Sequence, residues 1–330
     1  MSIFIKEKHI DSKYAHLEKY GLIMWKSFWT PAKYQKNIQK IDVPFILNKM
    51  DEVSKQCIKK TILASALVED KVKTFWSFLV TDIPQTVVGE VGAIFSNSEV
   101  VHAQSYRFLL QALNLTDDVE NIQEIPCMKG RIDYLNKHLS KTYTPKEKQI
   151  LKKIVLFTVL VERVSLFSQF YIAMSFNKNN KGLKSIYSLQ SSTATEELYH
   201  YMFGLELINI IKQENQELWD TELKEYVKES VLKAYEAESK LVEWIFENGY
   251  PSHLNKFEVS NFINYNFNQV CKDVEIDLDF DYDEDYYQEH NSWMMQALQP
   301  TEPDFFDNPV GGYSSVEEVI SDEELQDIFN

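Results

Sequence analysis

Two Glu-x-x-His pairs are the most chemically informative feature of the sequence. The first runs from Glu99 to His102 and the second from Glu197 to His200. Both lie in segments whose apolar residues recur with the period of an α-helix, and residues three apart on a helix share one face. Each pair can therefore present a carboxylate oxygen and an imidazole nitrogen to the same point. One such pair is weak evidence of a site, whereas two pairs in mainly apolar helices indicate metal binding.

Two further carboxylates lie upstream of these pairs, each at a distance of about one long helix and a turn. Glu69 precedes the first pair and Glu162 precedes the second, so a neighbouring antiparallel helix can supply each acid. Glu162 interrupts an otherwise apolar stretch, where an isolated buried carboxylate is costly unless it meets a cation. One glutamate from each of two helices, with a Glu-x-x-His pair from each of two others, is typical of ferritin-like di-iron and di-manganese proteins. Four carboxylates neutralise two divalent ions, and this ligand set suits iron or manganese.

Tyr106 follows His102 by one helical turn, on the same face of the predicted helix. This position should bring its phenol close to the metals without making it a ligand. A tyrosine on a helix is usually a packing residue, and because the chain has 18 of them the type alone decides nothing. Beside an oxidising metal pair, however, a tyrosine is the natural one-electron donor. Leu166 and Phe170, one and two turns after Glu162, should form a dry wall that protects a radical from water.

Long helices must position these residues. Only 9 glycines and 9 prolines occur among 330 residues, too few for many turns. Polar composition predicts loops at 115–129 and 176–182. An apolar period near 3.6 predicts helices over 51–80, 86–113, 145–176, 182–214, 221–248 and 252–274.

The chain is therefore expected to be all-α, a ferritin-like bundle of long helices with a dimetal site in its core. Residues 1–298 would form this domain. Residues 299–330 gather proline and glycine while apolar residues thin out, which predicts a flexible C-terminal tail. The acidic run 275–289 lacks the central glycine and terminal glutamate of an EF-hand, so we expect a solvated surface there, without calcium.

Composition excludes several other functions. The net charge of −16 argues against nucleic acid as a partner, since a basic footprint is missing. Three scattered cysteines without a CxxC motif suit a reducing cytoplasm, and the first ten residues contain no secretory signal. The run 154–176 is long enough to span a bilayer, but Glu162 and Arg163 lie near its middle. A buried core helix is therefore the better interpretation.

Taken together, these motifs resemble the radical-generating small subunit of class I ribonucleotide reductases. The resemblance implies two iron ions, two manganese ions or one of each. These metals use oxygen, or an oxidant derived from it, to form a stable radical on Tyr106. The oxidising equivalent then passes to a cysteine of a separate large subunit, where ribonucleotides are reduced. The residues that carry the resemblance are Glu69, SEVVHAQSY (98–106), VERVSLFSQF (161–170) and EELYH (196–200).

The resemblance also implies roles for residues outside the metal ligands. Trp29, in SFWTP, matches a tryptophan on the radical-transfer path. Glu196 matches an acid, usually aspartate, that links this tryptophan to a metal-bound histidine. Tyr313, in NPVGGYSS, matches the tyrosine that passes the radical across the subunit interface, and the final DEELQDIFN resembles a peptide that docks on the large subunit. A homodimer is implied, and the need for a flavoprotein activase is left open. Glu69 stands where many members have aspartate.

Three other functions fit parts of the pattern. A ferritin-like oxidase acting directly on a lipid or hydrocarbon would need a substrate channel and no docking tail. Iron-storage proteins have much shorter chains and would leave Tyr106 unexplained. A helical scaffold without chemistry would leave Glu162 without a cation in its apolar helix. The radical-generating subunit accounts for all of these features together.

Overall fold

α-Helices make up most of the computed structural model, which describes residues 2–6, 13–72, 75–122, 125–129 and 146–298. No β-strand occurs within these ranges, so the all-α prediction is confirmed. In chain order the helices are α1 (Glu18–Lys26), α2 (Ala32–Asn37), α3 (Val43–Asn48), α4 (Glu52–Val72), α5 (Leu79–Asp82), α6 (Thr86–Ala112), α7 (Thr116–Ile122), α8 (Lys146–Leu156), α9 (Phe167–Lys178), α10 (Lys184–Glu214), α11 (Thr221–Ile245), α12 (Lys256–Asp273), α13 (Glu284–Tyr286) and α14 (Trp293–Leu298).

Four long helical segments form the centre of the fold: α4, α6, α8 together with α9, and α10. Helix α4 packs against α6 and α9, and α10 packs against both α8 and α9 and also touches α6. Helices α8 and α9 are joined by a π-helical segment, Phe157–Ser165, in which every residue is buried. A π-helix widens the turn locally and is often found at functional sites. Here it contains Glu162 and interrupts the single helix that the apolar period predicts over 145–176.

The π-helical segment and α10 approach each other closely at Gly204. A Cβ atom at this position would lie 2.0 Å from Thr158 Oγ1, so a larger residue cannot fit without moving one helix. Thr158 lies one turn before Glu162, and Gly204 lies one turn after His200. The close approach therefore brings the backbones that carry these two residues together.

Two further sequence predictions of local structure differ from the observed fold. The loop predicted over 115–129 is wrong, because α7 and a further helical turn at 126–129 lie within it. Asp117 and Asp118 in the first turn of α7 favour this short helix by interacting with its N-terminal dipole. The helix predicted over 51–80 is also too long. It ends at Val72, and a 3₁₀ turn, Trp76–Phe78, follows before α5.

The apolar run 154–176 lies inside the bundle, with each of its residues buried. None of the helices within the described ranges has both the length and the hydropathy of a membrane span.

Three asparagines of α12 hold the acidic run that follows it. Asn268 exchanges two hydrogen bonds with the backbone of Phe280, at 2.6 and 2.8 Å. Asn264 donates to the carbonyl of Asp281 at 2.6 Å, and Asn261 exchanges bonds with the backbone of Asp283 at 3.0 and 2.7 Å. In this extended segment the aspartates at 277, 279, 281 and 283 are exposed, whereas Phe280 between them is buried.

Lys60 of α4 links the bundle to the end of α11. Its ammonium group donates to the carbonyl of Trp244 at 3.0 Å, to Glu247 Oε1 at 2.6 Å and to Asn248 Oδ1 at 3.1 Å. Lys60 is buried, whereas Glu247 and Asn248 are exposed, and the last carbonyls of a helix attract a cation.

Replacing Lys60 with methionine should lower the free energy of unfolding by about 1 kcal/mol, because three charged hydrogen bonds at a partly exposed helix end are lost. Urea unfolding followed by circular dichroism measures this change. Lys59→Met, at the neighbouring position, is the matched control and should have a much smaller effect. Equal losses in the two variants would show that capping of α11 contributes nothing specific.

Candidate metal centre

The six residues with metal-ligand chemistry come together inside the four-segment bundle. Helix α4 provides one, α6 two, the π-helical segment one and α10 two, and each is at most 1% exposed. Their ligand atoms form two groups, within each of which all atoms lie within 4.8 Å of one another. One group is Glu69, Glu99, His102 and Glu197, and the other is Glu99, Glu162, Glu197 and His200.

Glu99 and Glu197 are shared by the two groups, with one oxygen directed to each histidine. On one side, His102 Nδ1 lies 3.6 Å from Glu99 Oε2 and 2.9 Å from Glu197 Oε1. On the other, His200 Nδ1 lies 3.2 Å from Glu99 Oε1 and 3.2 Å from Glu197 Oε2. Each side also has a carboxylate of its own: Glu69 Oε2 lies 3.7 Å from His102 Nδ1, and Glu162 Oε2 lies 3.5 Å from His200 Nδ1. These six residues could therefore hold two adjacent ions, and Glu99 and Glu197 could contribute an oxygen to each side.

Seven buried polar atoms of this cluster have no hydrogen-bond partner among the described residues. Leaving such atoms unsatisfied is costly, and native proteins rarely do so. Because these atoms converge on two points, a pair of cations would satisfy them together. The buried Glu/His cluster thus fits a dimetal site. The atoms are both carboxylate oxygens of Glu69 and of Glu99, Oε2 of Glu162, Oε1 of Glu197 and Nδ1 of His102.

Burial dominates the electrostatics of the cluster without metal. It raises the pKa of Glu69 and of Glu162 well above the usual range, and repulsion from neighbouring carboxylates acts in the same direction. Burial also opposes ionisation of Glu197, but close polar contacts with Glu162 and both histidines outweigh it and lower the pKa of that group. Two of the acids therefore hold protons in the metal-free protein, and metal binding must displace them.

Both histidines direct Nδ1 into the cluster and hold Nε2 in an outer hydrogen bond. Nε2 of His102 lies 2.6 Å from Glu196 Oε2, and Nε2 of His200 lies 3.1 Å from Ser98 Oγ. The Ser98 hydroxyl donates its own proton to the carbonyl of Phe95 at 2.8 Å, so it must accept from His200. These bonds select the tautomer with a free Nδ1 lone pair, which is the form that binds metal.

Trp76 is a further residue of the site that the sequence analysis missed. Its indole N–H donates to Glu162 Oε1 at 2.8 Å, and its ring is fully buried with edges against Phe95, Phe157 and Phe203. Glu162 therefore has one oxygen fixed by Trp76 and the other directed to the cluster. No motif marks Trp76, because it follows the unpredicted end of α4.

Tyr106 lies fully inside the bundle, two turns after Glu99. Its hydroxyl donates to Gln190 Oε1 at 2.7 Å. Burial raises the pKa of the phenol well above its usual value, and the charge of Glu69 raises it further. Leu166 and Phe170 are also fully buried, in keeping with the predicted dry wall. The Gln190 contact was not predicted, although Gln190 lies two turns before Glu197 on one face of α10.

Trp29 and Glu196 both contact His102. The indole ring of Trp29 stacks on the imidazole with a centroid separation of 6.0 Å and an interplanar angle of 21°. Trp29 is buried, and its N–H has no hydrogen-bond partner among the described residues. Contact with the histidine therefore occurs through ring stacking for Trp29 and through a hydrogen bond for Glu196. Tyr313 lies outside the described residues.

Comparisons with known proteins agree with this geometry. The family model described as "Ribonucleotide reductase, small chain" matches residues 9–291. The ribonucleoside-diphosphate reductase subunit beta of Chlamydia pneumoniae is 29% identical over 150 residues, which are 42% of this chain and 43% of that protein. The corresponding subunit of Halalkalibacterium halodurans is 25% identical over 251 residues, 73% of this chain and 70% of that protein. The chain thus spans less than half of the first relative and somewhat over two thirds of the second.

A solved structure has the same fold. The dimanganese(II)-NrdF of Streptococcus sanguinis superposes with a TM-score of 0.70, covering 89% of this chain and all of that one (100%), at 18% sequence identity. The expected architecture, a ferritin-like bundle, is therefore confirmed.

Glu162→Gln should reduce the metal content from two ions to one or fewer per chain, because the side chain loses its charge. It should not reduce the stability of the metal-free protein at neutral pH, since Gln keeps the acceptor for Trp76 and removes a buried acid whose pKa is raised. Metal analysis and thermal unfolding of the apoprotein measure the two effects. Glu258→Gln, at a carboxylate bonded to Tyr171, is the control and should retain both ions. Two ions in Glu162→Gln would remove Glu162 from the site.

Proposed function

The chain belongs to the ribonucleotide reductase small-chain family, and we propose that it generates and stores the oxidant with which a large subunit reduces ribonucleotides. The observation that carries this proposal is the pair of buried ligand groups that share Glu99 and Glu197. Two adjacent redox-active ions can together accept or supply electrons that a single ion cannot, and a tyrosine lies within the same bundle. Family membership supports the same activity.

The proposed cofactor is a pair of iron ions, a pair of manganese ions or one of each. Its ligands would be Glu69, Glu99, His102, Glu162, Glu197 and His200. Carboxylate oxygens with one imidazole per ion favour these metals over zinc, which more often takes thiolate and imidazole ligands in a tetrahedral site. When bound and oxidised by oxygen or an oxygen-derived oxidant, such a pair supplies a strong one-electron oxidant. A structural neighbour is described as dimanganese, which supports manganese as a candidate.

The proposed role of Tyr106 is to hold the oxidising equivalent as a radical. A phenol with a pKa raised by burial does not ionise at neutral pH, so it remains a protonated reservoir until oxidised. Leu166 and Phe170 are fully buried, as Tyr106 is, so all three side chains lie away from solvent. A radical stored there would be protected from solvent reductants.

The proposed exit path begins at the outer side of His102. Trp29 stacks on this imidazole, and Glu196 is hydrogen-bonded to it, so both contact a ligand of the centre. Tyr313 and residues 299–330, outside the described part of the chain, would relay the radical and dock on the large subunit. We further propose a homodimer and, from the three scattered cysteines, a cytoplasmic location.

Tyr106→Phe should abolish the tyrosyl signal in electron paramagnetic resonance while both metals remain bound, because phenylalanine cannot be oxidised at an accessible potential. The protein is reconstituted with ferrous iron and oxygen, or with manganese and a suitable oxidant. Tyr171→Phe, at a buried tyrosine elsewhere in the fold, is the control and should keep the signal. A signal that survives Tyr106→Phe would show that another residue holds the radical. Activity of the complex without any tyrosyl signal would indicate a metal-centred oxidant.

Deleting residues 320–330 should abolish binding to the large subunit while metals and radical are retained. Tyr313→Phe should keep binding but lose nucleotide reduction, because phenylalanine cannot relay an electron and a proton. Tyr282→Phe, at a partly buried tyrosine in the acidic run, is the matched control and should preserve both properties. Affinity, radical content and turnover are measured on each variant. Normal turnover in Tyr313→Phe would exclude this tyrosine from the path, and unimpaired binding by the truncation would exclude the tail from docking.

A further inference from the structure

Gln190 is a buried amide in the layer of the bundle next to the metal centre. It is 1% exposed, as is Tyr106, whose hydroxyl donates to Gln190 Oε1 at 2.7 Å. Gln190 lies two turns before Glu197 on α10, and Tyr106 lies two turns after Glu99 on α6. Because both glutamates belong to the centre, the two helices must be antiparallel. Tyr106 follows His102, another member of the centre, by four residues, which is about 6 Å along the helix at a rise of 1.5 Å per residue.

Three other largely buried tyrosine hydroxyls have a different kind of partner. Each of them donates to a carboxylate, whereas Tyr106 donates to a neutral carboxamide. These pairs are Tyr20 with Glu206 at 2.7 Å, Tyr171 with Glu258 at 2.6 Å and Tyr201 with Asp273 at 2.5 Å. Neutral partners also occur in the same fold: Tyr34 bonds to the Ser192 hydroxyl at 2.6 Å, and Tyr235 donates to the Asn264 carboxamide at 2.9 Å.

The surroundings of Tyr106 explain why neither a carboxylate nor an aliphatic residue would serve there. Four acids are already crowded into the adjacent layer, and the charge of Glu69 already acts on the phenol. A further carboxylate would add another negative charge beside this crowded layer, which makes its burial more costly. An aliphatic residue would leave the buried hydroxyl without an acceptor, which is costly. An amide satisfies the hydroxyl without adding charge.

An amide also has a property that no carboxylate shares. Its oxygen accepts a hydrogen bond, and a half-turn about its terminal torsion presents an N–H that donates one. A phenol can donate through its hydroxyl, whereas a phenoxyl oxygen can only accept. The same side chain can therefore bond to Tyr106 before and after oxidation.

We propose that Gln190 is the positioning residue of Tyr106, bonded to the phenolic oxygen in both redox states. It accepts from the hydroxyl of the reduced residue and donates its amide N–H to the oxygen of the radical. This inference rests on the proposed function, which assigns the radical to Tyr106. In that oxidation the phenolic O–H bond breaks. The oxidant that the metal-loaded centre would supply takes both the electron and the proton, because an amide oxygen is too weak a base to keep the proton.

The radical state is tested by high-field electron paramagnetic resonance on the reconstituted protein in H₂O and D₂O. The wild-type radical should show an exchangeable deuteron coupling and a lowered g1, the signature of a hydrogen bond to the phenoxyl oxygen. Gln190→Met, which has similar length but no amide, should lose the coupling and raise g1 while both metals remain bound. Thr193→Val, one turn along the same helix at a buried hydroxyl without a partner among the described residues, should leave the spectrum unchanged. An identical spectrum in Gln190→Met would overturn the proposal.

The reduced state is tested without metal, by thermal unfolding of Tyr106→Phe, Gln190→Met and the double variant. The double variant should lose less in Tm than the two single variants together, because each single change leaves one partner unsatisfied. Additive losses would overturn the proposed bond. If the wild-type protein binds two metals but forms no tyrosyl radical, the proposed role of Tyr106 fails, and this metal-free cycle still decides whether Gln190 holds its hydroxyl.

Discussion

Repulsion among four carboxylates in a water-free interior is the constraint on which this structure depends. Alone, each acid could be neutralised by binding a proton. Here the four lie so close that the charge on each carboxylate affects the protonation of the others. Burial and mutual repulsion raise the pKa of Glu69 and Glu162, whereas close polar contacts with the histidines and Glu162 keep Glu197 ionised. Only cations relieve all four at once. The protein maintains this costly cluster because the surrounding helices prevent it from separating.

The scaffold acts on the centre through a few contacts of high specificity. Gly204 allows the π-helical segment and α10 to approach each other closely. This contact lies one turn from Glu162 on one element and one turn from His200 on the other. Trp76 fixes one oxygen of Glu162, and Ser98 and Glu196 fix the outer nitrogens of the two histidines. Glu162, His102 and His200 therefore each have one atom bonded to the scaffold and another directed inward. Glu69 and Glu99 instead have both carboxylate oxygens without a hydrogen-bond partner among the described residues.

The sequence predicted the bundle and its ligand candidates because both depend on helical periodicity. Glu99 and His102 share a face by spacing alone, and Glu162 stands out as a charge in an apolar run. Trp76 could not be predicted, since it follows a break in α4 that depends on tertiary packing. Gln190 has the right spacing from Glu197, but nothing local shows that Tyr106 lies opposite, because that contact joins residues far apart in the chain. Helix α7 was missed because its polar composition outweighed its favourable first turn.

The asparagines of α12 form hydrogen bonds with main-chain atoms of the acidic run and not with its side chains. Because these bonds are made to the backbone, they do not require particular side chains at the bonded positions. Exposed aspartates alternate with Leu278, Phe280 and Tyr282 along this run. Their negative charges therefore face solvent while the backbone stays in place. These acids repel one another, but hydrogen bonds to the backbone restrain the segment that carries them. The charges of Asp277, Asp279 and Asp281 therefore have no part in these bonds, whereas the Asp283 carboxylate also caps α13.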